Sequence, residues 1–250
     1  MVDWKKINPS IKITHTNKAV YGGHTHKLTI CAPGIQYIAF DPADPYTSDK
    51  FKKQCDRAKI LLANKRFQFG YRSPNGMGVF DYELMMKLNQ ILALAKLKVR
   101  QESYFVTFYA TNDQDLLDLV NEYSLQKNIT KISRPASEKN YNELLEGKII
   151  RKVQNGYKHK IILRRSIQTA ETKQQILDYL DSFEENEVLI THGTRWRLSS
   201  ANSRYVRGDI YVSDPNITTF LILMAPKLVN RVVELAEFDD KNPQPNRIQL

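Results

Sequence analysis

The sequence has 250 residues, of which 42% are apolar and 26% charged, with 13 Tyr and 10 Phe. This composition excludes a disordered or low-complexity chain, and the length is sufficient for two domains that each bury a core. The net charge of +10 favours a polyanionic partner, nucleic acid before an anionic membrane surface.

The cysteines and the apolar runs indicate the cellular compartment. Cys31 and Cys55 have no metal-ligand spacing and are too few for a disulfide framework, so reduced thiols in the cytoplasm are expected. The longest apolar run, residues 218–226, is far shorter than the roughly 20 residues that a membrane span needs, and no signal-peptide pattern follows Met1. We therefore expect a soluble, cytoplasmic protein that does not engage a membrane.

One pattern occurs twice in the chain. Gly23 opens the segment Gly-His-Thr-His-Lys-Leu-Thr-Ile, and Gly156 opens Gly-Tyr-Lys-His-Lys-Ile-Ile-Leu. Both copies read Gly-x-x-His-Lys followed by alternating apolar positions, which is typical of a half-buried strand entered from a glycine turn. The repeat predicts a duplicated module.

The elements predicted for the first copy begin with an edge strand around Ile11 and Ile13. In the strand that follows, His26, Leu28 and Ile30 share one face. The remaining predictions are a helix over 49–64 capped by Ser48, an exposed aromatic loop over 67–78, a helix over 81–96, strands over 98–100 and 104–110, a helix capped by Thr111 or Asn112, and a strand over 129–133.

The second copy follows a short connecting helix over 138–146. Segments 148–153 and 157–165 flank Asn155-Gly156, and Asn-Gly favours the tight turn of a β-hairpin. The remaining predictions are a helix started by Thr169 or Thr172, strands over 188–191, 195–199 and 209–213, a helix after Pro215, a strand over 231–238, and a disordered polar tail.

Each copy thus has the order strand–helix–strand–strand–helix–strand, which predicts an α+β protein of two tandem ferredoxin-like modules that arose by internal duplication. The predicted domains are residues 1–135 with an insertion over 48–79, a connector over 136–152, the second module over 153–238, and the tail over 239–250. A sheet of this type leaves one face without helices, and that face is available for binding.

The predicted order resembles a tandem of RNA-recognition-motif modules, whose third strand carries Lys/Arg-Gly-aromatic-Gly/Ala-aromatic-Val-x-aromatic. Phe105-Val106-Thr107-Phe108 matches the second half of this motif, and Arg207-Gly208-Asp209-Ile210-Tyr211-Val212 has its Arg-Gly and Tyr-Val, with Asp209 at the first aromatic position. The resemblance implies RNA binding on the open sheet face, where aromatic side chains stack on bases. Phe105, Thr107 and Tyr109 lie on that face if Val106 and Phe108 point to the core.

Basic residues cluster in three stretches. They far outnumber acidic residues between Lys50 and Arg100, and no acidic residue interrupts 148–165 or 195–207. We interpret these stretches as a track for nucleic-acid phosphates, against the alternative of an ordinary solvated surface. The predicted contacts on the second copy are Lys148, Arg151, Lys152, Lys158, Lys160, Arg164, Arg195, Arg197 and Arg207, with Arg195 and Arg197 on one strand face.

The aromatic loop adds a second candidate contact. Phe67, Phe69 and Tyr71 alternate with Arg66 and Arg72, an arrangement that can stack on unpaired bases, although the same rings could equally pack on their own module.

No reaction is specified by the sequence. It has no P-loop, no dinucleotide-binding glycine motif and no HExxH or CxxC, so no catalytic residue, metal or cofactor is predicted. His26 and His159 recur in both copies and are interpreted as structural. We expect a non-enzymatic nucleic-acid-binding protein. The alternatives are a structural or assembly protein, such as a viral subunit with protein partners, and a metal-independent endoribonuclease using His24, His26 or His192.

Overall fold

A computed structural model describes residues 2–38, 48–69, 80–94, 97–151 and 156–239, apart from the side chains of 64–69 and 93–94. The chain divides into two units. The first comprises residues up to Thr16 together with Val20–Pro135, and the second comprises Asn17–Ala19 together with the chain from Ala136 onward. The predicted tail lies, from residue 240 onward, outside the described residues.

The first unit contains four helices and five strands among its described residues. In chain order these are α1 (Trp4–Ile7), β1 (Lys12–His15), β2 (His26–Cys31), α2 (Asp49–Phe69), α3 (Tyr82–Leu94), β3 (Lys98–Glu102), β4 (Phe105–Ala110), α4 (Asp113–Glu122) and β5 (Ile129–Arg134). Ser48 and Asn112 cap α2 and α4, because their side-chain oxygens accept hydrogen bonds from the amides of Phe51 and Asp115 at 3.1 and 2.9 Å.

The sheet of the first unit has the strand order β1-β5-β2-β4-β3. Its four strands β5-β2-β4-β3 pair antiparallel in the ferredoxin-like order, and β1 adds to the edge by pairing in parallel with β5. The predicted alternation of β2 is confirmed, since Leu28 and Ile30 are fully buried. These residues join Val106, Phe108 and apolar residues of α2, α3 and α4 in a single core, so all three helices cover one face.

The second unit repeats this plan. Its elements are α5 (Glu138–Leu145), β6 (Ile149–Arg151), β7 (His159–Ile167), α6 (Ala170–Asp181), β8 (Val188–Ile190), α7 (His192–Ser199), β9 (Tyr205–Val212), α8 (Ile217–Met224) and β10 (Val229–Glu237). The strand order is β6-β10-β7-β9-β8, with β6 parallel to β10 and the other pairs antiparallel. The ferredoxin-like arrangement is therefore present in both units, and the repeat extends to the helix and edge strand that precede it.

Three predictions about local structure are wrong. The first is the hairpin over 148–165, because β6 pairs with β10 and β10 lies between β6 and β7. Pairing on both sides of β10 places Val233 and Leu235 in the interior of the sheet, where both are buried. A β6–β7 hairpin would leave β10 at the edge.

The second wrong prediction is the strand over 195–199, which is the helix α7. Thr194 and Leu198, one helical turn apart, are both buried, and this spacing fits a helix packed on the sheet. Arg195 and Arg197 consequently point to different sides of α7 and do not share a strand face.

The third concerns the aromatic loop. Helix α2 continues to Phe69, past the predicted end near Asn64, so the backbone of Phe67 and Phe69 is helical. The rest of that predicted loop, including Tyr71 and Arg72, lies outside the described residues.

Candidate nucleic-acid interface

Several cations predicted to bind phosphate already face carboxylates. The Lys148 ammonium lies 3.1 Å from Glu146 and 3.2 Å from Glu234, and hydrogen bonds with these two carboxylates raise the pKa of Lys148. Lys160 lies 2.8 Å from the Asp209 carboxylate on the neighbouring strand β9. These pairs neutralise two of the seven positive charges of the 148–165 stretch.

The two arginines of α7 are also engaged within the unit. Arg195 forms a bidentate pair with Asp181 at the end of α6, with distances of 3.0 and 2.7 Å. Arg197 donates a hydrogen bond of 2.7 Å to the carbonyl oxygen of Gly193. Neither side chain lies on the sheet, so neither extends the predicted track across it.

Arg151 and Lys160 do come together on the second sheet. The Arg151 guanidinium lies 4.2 Å from the centre of the Tyr211 ring, and the Lys160 ammonium lies 5.5 Å from it. Lys158, Arg164 and Arg207 are exposed. Lys152 lies outside the described residues, as do the side chains of Arg66, Phe67 and Phe69.

The helix-free face of the first sheet carries a larger set of cations. Directly opposed residues of neighbouring strands share a face, so the strand register defines two rows that cross the sheet. The first row consists of Lys12, Lys131, Thr29, Thr107 and Arg100. The second row consists of Thr14, Ser133, Lys27, Tyr109 and Lys98. With strands about 4.8 Å apart, each row is about 19 Å long.

We call these two rows the cationic face. Three of its cations, Lys12, Lys98 and Lys131, have no ion-pair partner within the part of the chain that the structure describes. Arg100 pairs with Glu102, the carboxylate that lies at the end of the same strand. The cations of the cationic face therefore lie at both of its edges, and Lys131 and Lys27 lie on the inner strands between them.

Hydroxyl groups fill the middle of the cationic face. The Thr29 and Thr107 hydroxyls lie 3.2 Å apart, and those of Thr14 and Ser133 lie 2.7 Å apart. Thr14 also donates to the carbonyl oxygen of Ile132 at 3.3 Å. Each hydroxyl has two acceptor lone pairs and one donor, so the pairs retain hydrogen-bonding capacity towards a ligand.

Tyr109 is the aromatic residue of the second row, where it lies between Lys27 and Lys98. The prediction that Val106 and Phe108 point to the core is confirmed, and Tyr109 accordingly lies on the opposite face. Its ring contacts that of Tyr21 edge-on, with centroids 4.9 Å apart and planes at 82°. Burial, together with the neighbouring Tyr21, raises the pKa of Tyr109.

The candidate histidines have different surroundings within their own units. His26 is buried near Asp113, and its Nδ1 lies 2.9 Å from the Thr25 hydroxyl. His159 faces the core side of the second sheet, opposite Val212. His24 lies 3.2 Å from the carbonyl oxygen of Tyr21, and His192 is exposed at the start of α7.

Asp113 is the centre of a buried polar cluster that sequence reasoning missed. It accepts hydrogen bonds from the Trp4 indole at 3.2 Å and from Arg134 at 3.0 Å. Arg134 also donates to the carbonyl oxygen of Val2 at 2.9 Å. The cluster thereby fixes the start of α4, the end of β5 and the segment around α1 to one another.

Neither a metal site nor a membrane span is found within the described ranges. They hold no group of three or more His, Cys, Asp or Glu residues arranged to bind a metal ion. None of their helices has the length and apolar character needed to cross a bilayer.

Comparisons of the chain with protein-family models, with curated proteins and with solved structures found no match in any of the three.

Proposed function

We propose that the protein binds nucleic acid without catalysing a reaction on it, and that the cationic face is its principal contact with phosphates. The observation that carries the proposal is the alignment of Lys12, Lys131 and Arg100 in one row and of Lys27 and Lys98 in the next. Lysine and arginine side chains in this arrangement neutralise successive phosphates and release the condensed counterions.

In this proposal the second unit supplies fewer phosphate contacts than the first. Lys158, Arg164 and Arg207 are exposed and fit the predicted phosphate track. Lys148, Lys160 and Arg195 each lie beside a carboxylate, so a phosphate would have to compete with an existing partner.

The test is fluorescence-anisotropy binding of labelled single-stranded RNA and DNA across a salt series. Lys12, Lys98 and Lys131 are changed together to Gln. The matched control changes Lys53, Arg57 and Lys59, three exposed cations of α2 that belong to the predicted 50–100 stretch but lie in the helical layer, on the opposite side of the sheet from the cationic face. Both variants lose three positive charges.

The cationic-face variant should lower the slope of log affinity against log salt by about 2, because each phosphate contact to a single strand contributes about 0.7. At 0.15 M salt this loss corresponds to binding that is about fifty-fold weaker. The α2 control should change affinity only slightly. Equal losses in the two variants, or no binding by the wild type at low salt, would refute the proposal.

A gel of the same RNA after incubation with the protein tests whether the protein cleaves it. Cleavage that disappears on His24→Gln, His26→Gln or His192→Gln would favour the endoribonuclease alternative instead.

A second candidate function is assembly with other protein subunits. Helix α8 has no charged residue, and its Phe220, Ile222 and Leu223 side chains are exposed. Uncharged apolar surface of this kind is a common feature of protein interfaces. Light scattering after size exclusion would support assembly if it showed an oligomer that is insensitive to salt and is lost on Leu223→Ser.

A further inference from the structure

The aromatic ring of the second row of the cationic face is covered. Tyr109 is only 7% exposed, whereas Tyr21, whose ring contacts it edge-on, is 51% exposed. The Tyr21 ring therefore occupies part of the surroundings of Tyr109 that a stacking nucleobase would need. Phe105, at the far end of β4, is 37% exposed and lies outside the two rows.

The turn that carries Tyr21 is fixed by backbone hydrogen bonds. Val20 and His24 exchange bonds of 3.0 and 2.9 Å, and Gly23 donates to the Val20 carbonyl at 3.2 Å. Tyr21 itself has a φ of +50°, a left-handed conformation that favours glycine. The turn therefore holds the Tyr21 ring over Tyr109 at some cost in backbone strain.

The remaining central positions of the cationic face have no flat side chain. Thr29 and Thr107 form one hydroxyl pair and Thr14 and Ser133 form the other, and the ends of the rows are lysine and arginine. Side chains of these types supply most of the hydrogen bonds to phosphates and sugars, and those contacts carry no base information.

We propose that the cationic face binds a single strand through its sugar-phosphate backbone alone, and that Tyr21 prevents bases from stacking on Tyr109. This inference rests on the proposed function, because it specifies how the same surface recognises nucleic acid. Its ligand class is any flexible single strand, irrespective of base sequence. Stacking on an aromatic side chain strengthens binding by about 5- to 150-fold per base, so its presence or absence is measurable.

The experiment compares two labelled DNA oligomers of equal length and charge, one with normal bases and one built of abasic nucleotides. Fluorescence anisotropy is measured at low salt with the full chain, with Tyr21→Gly and with Tyr21→Phe. Glycine tolerates the left-handed φ at position 21, so the Gly variant removes the ring without adding strain. The Phe variant keeps the ring and is the matched control.

The wild type and Tyr21→Phe should bind the two oligomers with affinities within about threefold of each other, below the smallest stacking effect. Tyr21→Gly should bind the base-containing oligomer about 5- to 150-fold more tightly than the abasic one, because Tyr109 becomes accessible. The inference is overturned if the wild type already prefers the base-containing oligomer, or if Tyr21→Gly weakens binding to it alone, since Tyr21 would then itself stack on a base. Failure of the wild type to bind either oligomer overturns the proposed function, and this inference with it.

Discussion

Replacing Asp113 by Asn should destabilise the first unit by about 3 kcal/mol, because it removes the negative charge that pairs with a buried arginine. Arg134 is 6% exposed and Asp113 is 9% exposed. Asn keeps the shape of the side chain and one carbonyl oxygen, so it can still accept a hydrogen bond from Trp4 or from Arg134. It cannot compensate the Arg134 charge.

The expected loss of stability depends on the hydrogen bonds that Arg134 keeps in the variant. Breaking a buried ion pair by removing one partner costs about 3–5 kcal/mol. Arg134 still donates to the Val2 carbonyl at 2.9 Å after the change, so the lower end of this range applies. For a denaturant dependence of about 2 kcal/mol per molar urea, the unfolding midpoint should fall by about 1.5 M.

Tryptophan fluorescence during urea unfolding measures this effect in the correct unit. The chain has two tryptophans, of which Trp4 is buried beside Asp113 and Trp196 is exposed on α7 in the second unit. In a Trp196→Phe background, Trp4 alone reports the unfolding of the first unit.

The matched control is Asp118→Asn, an exposed carboxylate on the same helix whose partner is Gln114 at 2.6 Å. It should change the free energy of unfolding by less than about 0.5 kcal/mol. A midpoint shift for Asp113→Asn no larger than that of Asp118→Asn, at an unchanged denaturant dependence, would contradict a stabilising role for the buried pair.

Two further predictions concern stability. In Gly208→Ala the new Cβ would clash with the Thr194 hydroxyl, at a φ of +137° that strains any side chain. Urea unfolding followed by circular dichroism should therefore show a loss of more than about 2 kcal/mol in the free energy of unfolding. Gly147→Ala, with a φ of +85° and open space around it, should cost only about 1 kcal/mol, and equal losses would refute the steric explanation. Burial lowers the pKa of His26 below its ordinary value of 6.5, so the folded state binds fewer protons than the unfolded state and the first unit should lose stability as pH falls from 6.5 towards the folded pKa. His26→Gln should flatten this dependence in urea titrations at several pH values, whereas His192→Gln should leave it intact; an unaltered profile in His26→Gln would assign the proton uptake to another group.

Local sequence patterns were sufficient for most elements of the fold. The alternation of His26, Leu28 and Ile30 predicted the buried face of β2. Capping hydrogen bonds confirm the helix start at Ser48, and of the predicted alternatives they show Asn112 and Thr169 as the caps. These signals depend only on residues that are close in sequence, so they remain valid whichever strands pair in the sheet.

Pairing between distant strands could not be predicted in the same way. Asn155-Gly156 is a strong local signal for a hairpin, but β10 offers β6 and β7 an apolar partner on each side, and non-local burial decides the arrangement. The short helix α7 was missed because its residues Arg195–Leu198 also alternate between polar and apolar, as in a strand. The four-residue spacing of Thr194 and Leu198 indicates a helix only once both side chains are known to be buried.

The same limit applies to the cationic face. Alternation alone placed Lys27 and Thr29 on the helix-free side of β2. No local pattern indicated that they lie beside Lys12, Lys98 or Lys131, because those residues come from strands whose neighbours are defined only by the sheet order. A search for polar alternate positions on every predicted strand, laid out in the ferredoxin-like order, would have assembled most of this surface.

The parallel edge strands have a consequence for synthesis. Lys12 of β1 pairs with Lys131 of β5, about 120 residues later in the chain, and Ile149 of β6 likewise pairs with Leu235 of β10. At a translation rate of about 5–20 residues per second, β1 remains unpaired for about 6–24 seconds before β5 is synthesised. Lys12 within β1 and Lys148 next to β6 place a positive charge at each strand while it is unpaired, and this charge disfavours pairing with other nascent chains.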